Sequence, residues 1–137
     1  MIDAYASQSH YHDHIWPIWE QLDDVGRFIV HRSLENLRAH DLVGAAPPPD
    51  RTPIIVAGTS DLMKVARRPV VFVEHGAGQT YTTAHPGYAG GPGRGRVGLF
   101  LCPNETVADK NKKTYPKASS VVVGSPRVEW LLSLIHI

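Results

Sequence analysis

Two short apolar runs, each followed at once by a turn of small residues, constrain the fold of this chain most strongly. The first lies in Val70–Tyr81, VVFVEHGAGQTY, and the second in Val121–Arg127, VVVGSPR. Neither run alternates apolar with polar residues, which is typical of strands covered on both faces. Ligands of open parallel sheets bind just beyond the carboxyl ends of the strands. We therefore expect His75, which follows the first run, to lie at the ligand-binding edge of a parallel sheet.

The rest of the chain alternates strand and helix patterns, which predicts an α/β fold. The predicted strands are Ile2–Ala6, Phe28–His31, Ile54–Ala57, Val70–Val73, Val97–Leu101 and Ser120–Val123. The predicted helices are Ile15–Leu22, Ser33–His40, a short one from Ser60 or Asp61 to Ala66, Glu105–Lys112, and one from Val128. Right-handed crossovers between such strands give a Rossmann-like three-layer domain with a mostly parallel sheet of about six strands.

Composition narrows the class of protein. With 137 residues and a formal net charge of +1, the chain is one domain or a piece of a larger protein, and its charge does not favour nucleic acid as a partner. The single cysteine, Cys102, cannot form an internal disulfide and fits a reducing compartment. No apolar run approaches the ~20 residues of a membrane span, and no signal peptide is recognisable. We expect a cytoplasmic protein.

The turn after the fourth predicted strand carries the leading candidate for chemistry. His75 is followed by Gly76-Ala77-Gly78, and such small residues let backbone N–H groups approach an anion or a sugar closely. A histidine titrates near neutral pH, which suits a general base. The alternative is that His75 ends the strand and hydrogen-bonds a neighbouring loop, and the sequence leaves both interpretations open.

The turn Gly124-Ser125-Pro126-Arg127 is the second candidate. Its N–H groups would bind phosphate at the start of the following helix, with the forked guanidinium of Arg127 as a further donor. The alternative is a tight strand-to-helix turn with a solvated arginine. On spacing alone this alternative is the simpler one.

The segment Ser9–His14, SHYHDH, has histidines at three alternate positions. The pattern is close to the H-x-H-x-D-H of metallo-β-lactamase-like hydrolases but is one residue short of it, so that Asp13 and His14 fall out of register. A polar loop that opens a helix, with His10 facing the ligand crevice, explains the segment better. We therefore predict no metal site and count His10 among the substrate-binding residues.

The last six residues, Leu132–Ile137, read LSLIHI. A transposon sequencing adapter, CTG TCT CTT ATA CAC ATC, encodes the same peptide in one frame, and we interpret these residues as translated adapter. On that interpretation residues 1–131 are a truncated domain, residues 132–137 are a non-native tail, and the natural gene continues past Leu131. The alternative is an apolar helix that happens to have this sequence.

Several motifs resemble the N-terminal half of GT-B-type transferases in the UDP-glycosyltransferase superfamily, and most closely the CDP-glycerol glycerophosphotransferase (teichoic-acid polymerase-like) family. The family's strand ending in His-Gly is matched by His75-Gly76, its Tyr-Pro-x-Ala-like segment by Tyr115–Ala118, and its Gly-x-Pro-Arg by Gly124–Arg127. The stretch His14–Leu22 resembles the first helix of such domains. Where the family's turn continues toward a lysine, this chain has Gln79-Thr80-Tyr81.

The resemblance implies two Rossmann-like domains with a cleft between them, of which this chain is the acceptor-side one. It implies that His75 deprotonates an acceptor hydroxyl. A nucleotide-activated donor, CDP-glycerol or a nucleotide sugar, would bind mainly to the missing C-terminal domain, and no cofactor would be held permanently. Peripheral membrane association of the full protein is compatible with this assignment. The expected substrate-binding residues are His10, Gly76, Ala77, Gly78, Gln79, Thr80, Gly124, Ser125 and Arg127.

Three other functions stay open at this point. A nucleotide-sugar 2-epimerase-like enzyme of the same architecture needs acidic groups in its cleft, for which Glu74 is the candidate. A non-catalytic binding module would use the Gly-rich stretch Ala84–Gly98 for recognition. A metallohydrolase would use His10, His12 and His14.

Overall fold

The computed structural model describes residues 1–31, 50–65, 67–75 and 93–135. Within these residues the chain forms one sheet of six strands, all parallel, in the order β2-β1-β3-β4-β5-β6. The strands are β1 (Ile2–Ala6), β2 (Val25–Val30), β3 (Ile54–Val56), β4 (Val70–Val73), β5 (Val97–Cys102) and β6 (Ser119–Val122). The helices are α1 (Ser9–Trp19), α2 (Thr59–Leu62), α3 (Glu105–Thr114) and α4 (Pro126–Ile135), with short 3-10 helices at Met63–Val65 and Arg94–Arg96. The predicted Rossmann-like α/β domain is confirmed.

Apolar side chains on both faces of the sheet hold the layers together. Successive residues of β3 alternate between two core clusters, with Ile54 in one and Ile55 in the other. Leu62 of α2 and Val107 of α3 pack with the first cluster, and Trp19 of α1 packs with the second. Strands β3 and β4 are covered on both faces, so they read in the sequence as continuous apolar runs. Strand β6 lies at the edge of the sheet, and Val121 and Val122 are 43% and 42% exposed, so the expectation that its apolar run is covered on both faces was wrong.

A buried network around Asp3 ties together the amino ends of the strands. The Asp3 carboxylate accepts hydrogen bonds from the backbone N–H of Arg27 at 2.8 Å and from the guanidinium of Arg68 at 2.6 Å. Gly26 makes room for it, since a Cβ at that position would lie 2.1 Å from Asp3 Oδ1. Burial alone would raise the pKa of Asp3, but the bonds from Arg27 and Arg68 outweigh it and lower that pKa. The network lies at the sheet edge opposite the carboxyl ends.

Helix α1 begins earlier than its apolar spacing predicts. We expected a polar turn followed by a helix from Ile15, but the helix starts at Ser9 and has Pro17 in its interior instead of in its first turn. The polar residues of Ser9–His14 are helical because His12 is buried in the core, where its ring centroid lies 5.0 Å from that of Phe28. Histidine is not counted as apolar, so a histidine in the core leaves no sign in the apolar spacing. The predicted start of α1 was therefore about two helical turns too late.

The other local predictions have mixed outcomes. The predicted helix Glu105–Lys112 is present as α3, and Asn104 caps it, because its Oδ1 accepts a hydrogen bond from the backbone N–H of Val107 at 3.0 Å. The predicted helix Ser33–His40 and most of the loop Ala84–Gly98 lie outside the described residues.

No helix in the described part of the chain is long and apolar enough to cross a membrane.

Candidate functional site

A cavity of about 300 Å³ opens at the carboxyl ends of β4, β5 and β6. Apolar side chains make up much of its wall, and polar groups come from α1, the end of β4 and the start of α4. These polar residues are His14, Glu74, His75, Ser125 and Arg127. The structure therefore brings two of the sequence candidates together, His75 and the turn Gly124–Arg127, and adds His14, which the sequence analysis named only as a candidate metal ligand.

A hydrogen bond to the end of the neighbouring strand orients His75. Its Nε2 lies 2.9 Å from the carbonyl oxygen of Ala57, directly after β3. A carbonyl oxygen only accepts, so Nε2 carries the hydrogen, and Nδ1 of the neutral ring keeps the lone pair. Burial lowers the pKa of His75 below 6.5, although the bond to Ala57 acts in the opposite direction. The result is an oriented, neutral imidazole whose Nδ1 is able to accept a proton.

The ring of His14 stacks on the ring of His75. The two ring centroids are 4.2 Å apart, and the planes differ by only 18°. Burial lowers the pKa of His14 to about 4, and repulsion from His75 when that ring is protonated and from the permanent charge of Arg127 adds to this effect. His14 is therefore neutral at physiological pH. The one sequence signal that could have indicated it is its spacing of four residues from His10, which places both on the same side of a helix.

His10 lies beside His75 but does not line the cavity. Its ring centroid is 6.3 Å from that of His75 in an edge-on arrangement, and it contacts Tyr11 with the ring centroids 4.1 Å apart. His10 is exposed, so it stands at the rim of the site. Its predicted role in substrate binding stays a prediction.

Tyr11 covers the point where the strand order reverses, between β1 and β3. Sheets of this strand order commonly bind ligands at that point. Here the backbone of Gly58 lies under the Tyr11 ring, and a Cβ at Gly58 would lie 2.3 Å from a ring atom. The glycine after β3 thus makes room for a side chain of the protein, and the open cavity lies further along the sheet.

The turn before α4 has the backbone geometry that its sequence requires. Gly124 has a φ of 75°, a left-handed conformation that favours glycine. Pro126 occupies the first position of α4, where its missing N–H costs little. The guanidinium of Arg127 lies 3.8 Å from the carboxylate of Asp13 in α1, and its side chain is 39% exposed. A permanent positive charge and a helix N-terminus thus border the cavity, and both favour an anion.

Glu74 is engaged in a buried ion pair. Its carboxylate oxygens are bonded by two guanidinium nitrogens of Arg94, and one of them also accepts from the side-chain amide of Asn111 at 3.3 Å. The guanidinium carbon of Arg94 lies 4.4 Å from the centre of the Phe72 ring. A carboxylate held in this way by two donors is poorly placed to exchange protons with a substrate.

The three histidines of the Ser9–His14 segment do not converge on one point. His12 points into the core, where its ring stacks on Trp16 with centroids 5.8 Å apart, whereas His10 and His14 adjoin His75. Among the described residues, no group of three or more histidine, cysteine, aspartate or glutamate side chains is arranged to hold a metal ion. Within the described part of the chain, His10, His12 and His14 therefore do not form the ligand set proposed for a metallohydrolase.

The remaining predicted site residues lie outside the described ones. They are Gly76, Ala77, Gly78, Gln79 and Thr80. Comparison of the chain with protein-family models, curated proteins and solved structures found no match. A functional proposal therefore rests on the geometry of the cavity and on the resemblance of short motifs.

Proposed function

We propose that this chain is the acceptor-side domain of a GT-B-type glycosyltransferase or glycerophosphotransferase in which His75 is the general base. The observation that carries the proposal is the hydrogen bond from His75 Nε2 to the carbonyl oxygen of Ala57 at the cavity wall. It supports a neutral ring with a lone pair on Nδ1, which is the state a base needs before the reaction. The resemblance of His75-Gly76 and Gly124–Arg127 to the family motifs is in line with it.

The reaction would be an attack by an acceptor hydroxyl on the activated atom of the donor. The hydroxyl oxygen forms a bond to the sugar carbon or to the phosphorus of the glycerophosphate group, and its proton passes to Nδ1 of His75. The bond from that carbon or phosphorus to the nucleotide breaks, and the nucleotide leaves with the electron pair. A positioned general base contributes about 10²–10⁴-fold to the rate of such a step.

The groups opposite His75 suit an anionic part of a substrate. Arg127 is permanently charged, and the N-terminus of α4 after Ser125 adds a positive partial charge. In this proposal they bind a phosphate group of the acceptor or of the donor, CDP-glycerol or a nucleotide sugar. A second domain would supply most of the contacts with the nucleotide, and no permanently bound cofactor is required.

The epimerase alternative is less favoured by the same geometry. It requires an acidic group that exchanges protons with the substrate, and the candidate Glu74 is 5% exposed and bonded to Arg94 and Asn111. A non-catalytic binding module would use the Gly-rich stretch Ala84–Gly98, most of which lies outside the described residues. The transferase and the binding module therefore differ in whether His75 is needed for turnover.

The test is an assay of the natural gene product that contains residues 1–131. CDP-glycerol and UDP-glucose are supplied as donors with glycerol 3-phosphate as acceptor, and release of CMP or UDP is measured with and without the acceptor. We expect acceptor-dependent nucleotide release with one of the donors, strongly reduced by His75→Gln. If neither donor gives acceptor-dependent release, the transferase proposal is wrong.

A further inference from the structure

We infer that His14 is a positioning residue, whose ring fixes the plane of the His75 imidazole and keeps solvent from one of its faces. The inference rests on the proposed role of His75 as general base. It is drawn from the stacking of the two rings, with centroids 4.2 Å apart and planes within 18° of each other. The two residues come from different elements, α1 and the end of β4, so their contact is a feature of the tertiary fold.

The hydrogen bond to Ala57 determines that Nδ1 is the proton-accepting atom, but it does not by itself hold Nδ1 in one position. Nδ1 lies farther than Nε2 from the line of the Cβ–Cγ bond of His75, so rotation about that bond displaces Nδ1 more than Nε2. This terminal torsion is soft in histidine, with broad minima. The 2.9 Å bond to Ala57 therefore restrains the ring plane but leaves it some freedom to turn. A second ring packed against its face removes that freedom, because any tilt pushes ring atoms into His14.

His14 itself stands on a rigid support. Two residues before it, His12 is 1% exposed and packs between Trp16 and Phe28, with ring centroids 5.8 Å and 5.0 Å away. The residue between them, Asp13, lies 3.8 Å from the guanidinium of Arg127 and so links α1 to α4. These contacts hold the turn of α1 that carries His14, which makes its ring a fixed platform.

The surroundings of His14 and His75 keep both imidazole rings neutral, so the two rings stack without charge repulsion. The titratable side chains near His75 are His10, Tyr11 and His14 of α1, Glu74 with its partner Arg94, and Arg127 of α4. Burial lowers the pKa values of His14 and His75, so neither ring is charged at neutral pH. A protonated His14 at this distance would oppose the uptake of a proton by His75. The neutral platform orients the base without competing for its charge.

The test follows the His75 ring directly by ¹⁵N and ¹³C NMR of the histidine side chains, with His75→Gln to assign its signals. In the 137-residue chain we expect the tautomer protonated at Nε2 and a pKa below 6.5. His14→Ala opens one ring face to water and allows the ring to turn away from Ala57, so the His75 pKa should rise toward 6.5 and the other tautomer should appear. His14→Phe keeps a flat ring in place and should restore both properties. His31→Ala, at an exposed site after β2, is the matched control and should change neither.

Two results overturn the inference. One is a His75 pKa and tautomer that His14→Ala leaves unchanged. The other is a His14→Phe variant that behaves like His14→Ala, since the ring face would then not be the operative feature. The thermal midpoint of each variant verifies that it is folded.

The transfer assay separates this inference from the proposed function. In the natural gene product we expect His14→Ala to lower kcat about tenfold with little change in KM, because a misplaced base lowers the rate of the chemical step. His14→Phe should stay close to the wild-type rate. If the wild type shows no transfer at all, the proposed function fails, and the NMR result still decides whether His14 positions His75.

Discussion

His75 donates a hydrogen bond of 2.9 Å from Nε2 to the carbonyl oxygen of Ala57. Ala57 directly follows β3, and His75 lies two residues after the end of the neighbouring parallel strand β4. The bond therefore joins the two chain segments just beyond the point where the backbone pairing of their strands stops. Because the carbonyl accepts, the bond decides which ring nitrogen holds the hydrogen. The backbone just after β3 thus determines the tautomer of the candidate base just after β4, next to the cavity that Arg127 also lines.

The stability of the fold should decrease as the pH falls from 6.5 to about 4. Burial lowers the pKa of His14 to about 4 and also lowers that of His75, whereas the ordinary value of both is 6.5. In this range the unfolded chain binds more protons than the folded chain, so acid favours unfolding. We expect the thermal midpoint to fall over this range, and to fall less in His14→Phe. An equal fall in wild type and His14→Phe would contradict the burial of a neutral His14.

Breaking the Glu74–Arg94 pair should destabilise the fold strongly. Arg94→Met leaves the Glu74 carboxylate buried with only part of its bonding, and loss of one partner of a buried pair costs about 3–5 kcal/mol. The double variant Glu74→Leu with Arg94→Met removes both charges, so it should be more stable than either single variant. Urea unfolding measures each free energy.

A surface pair provides the control for that experiment. Asp24 pairs with the N-terminal ammonium at 2.8 Å, and its side chain is 81% exposed. Asp24→Asn should change the free energy of unfolding by about 0–1 kcal/mol. If Arg94→Met costs no more than Asp24→Asn, the buried ion pair does not stabilise the end of β4.

Gly58→Ala should be destabilising because of one side chain. The added Cβ would lie 2.3 Å from the Tyr11 ring, and overpacking of this kind costs about 1–3 kcal/mol. Gly95→Ala is the matched control, since a Cβ there has no neighbour within 4 Å. Adding Tyr11→Ala to Gly58→Ala should recover part of the loss. Equal urea midpoints for Gly58→Ala and Gly95→Ala would show that Tyr11 does not pack closely on Gly58.

The sheet could be predicted from the sequence because its strands are short apolar runs bounded by turn residues. Val70–Val73 was predicted with its observed ends, and Val97–Leu101 ends one residue short of the observed strand. The strand order has no such local signal, because it depends on which strands pair across long stretches of chain. The start of α1 was missed because its first turns are held by the burial of His12, a tertiary contact that overrides apolar spacing.

The candidate site was predictable only where a residue directly follows a strand. His75 and the turn Gly124–Arg127 meet at one cavity because the carboxyl ends of parallel strands share an edge. The stack of His14 on His75 joins two elements far apart in the sequence, and no local pattern indicates it. The partner of Glu74 was equally hidden, since Arg94 lies 20 residues further along the chain.

The measurement that tests the central claim most directly is the pH–rate profile of transfer by the natural gene product, with and without His75→Gln. A base must be neutral, so the wild-type kcat should fall with acid only below pH 6.5, because burial lowers the pKa of His75. His75→Gln should lower kcat by about 10²–10⁴-fold and abolish that acidic limb, while exposed His31→Gln should leave the profile unchanged. Transfer by His75→Gln at the wild-type rate, or with the acidic limb intact, would contradict the assignment of His75 as the general base.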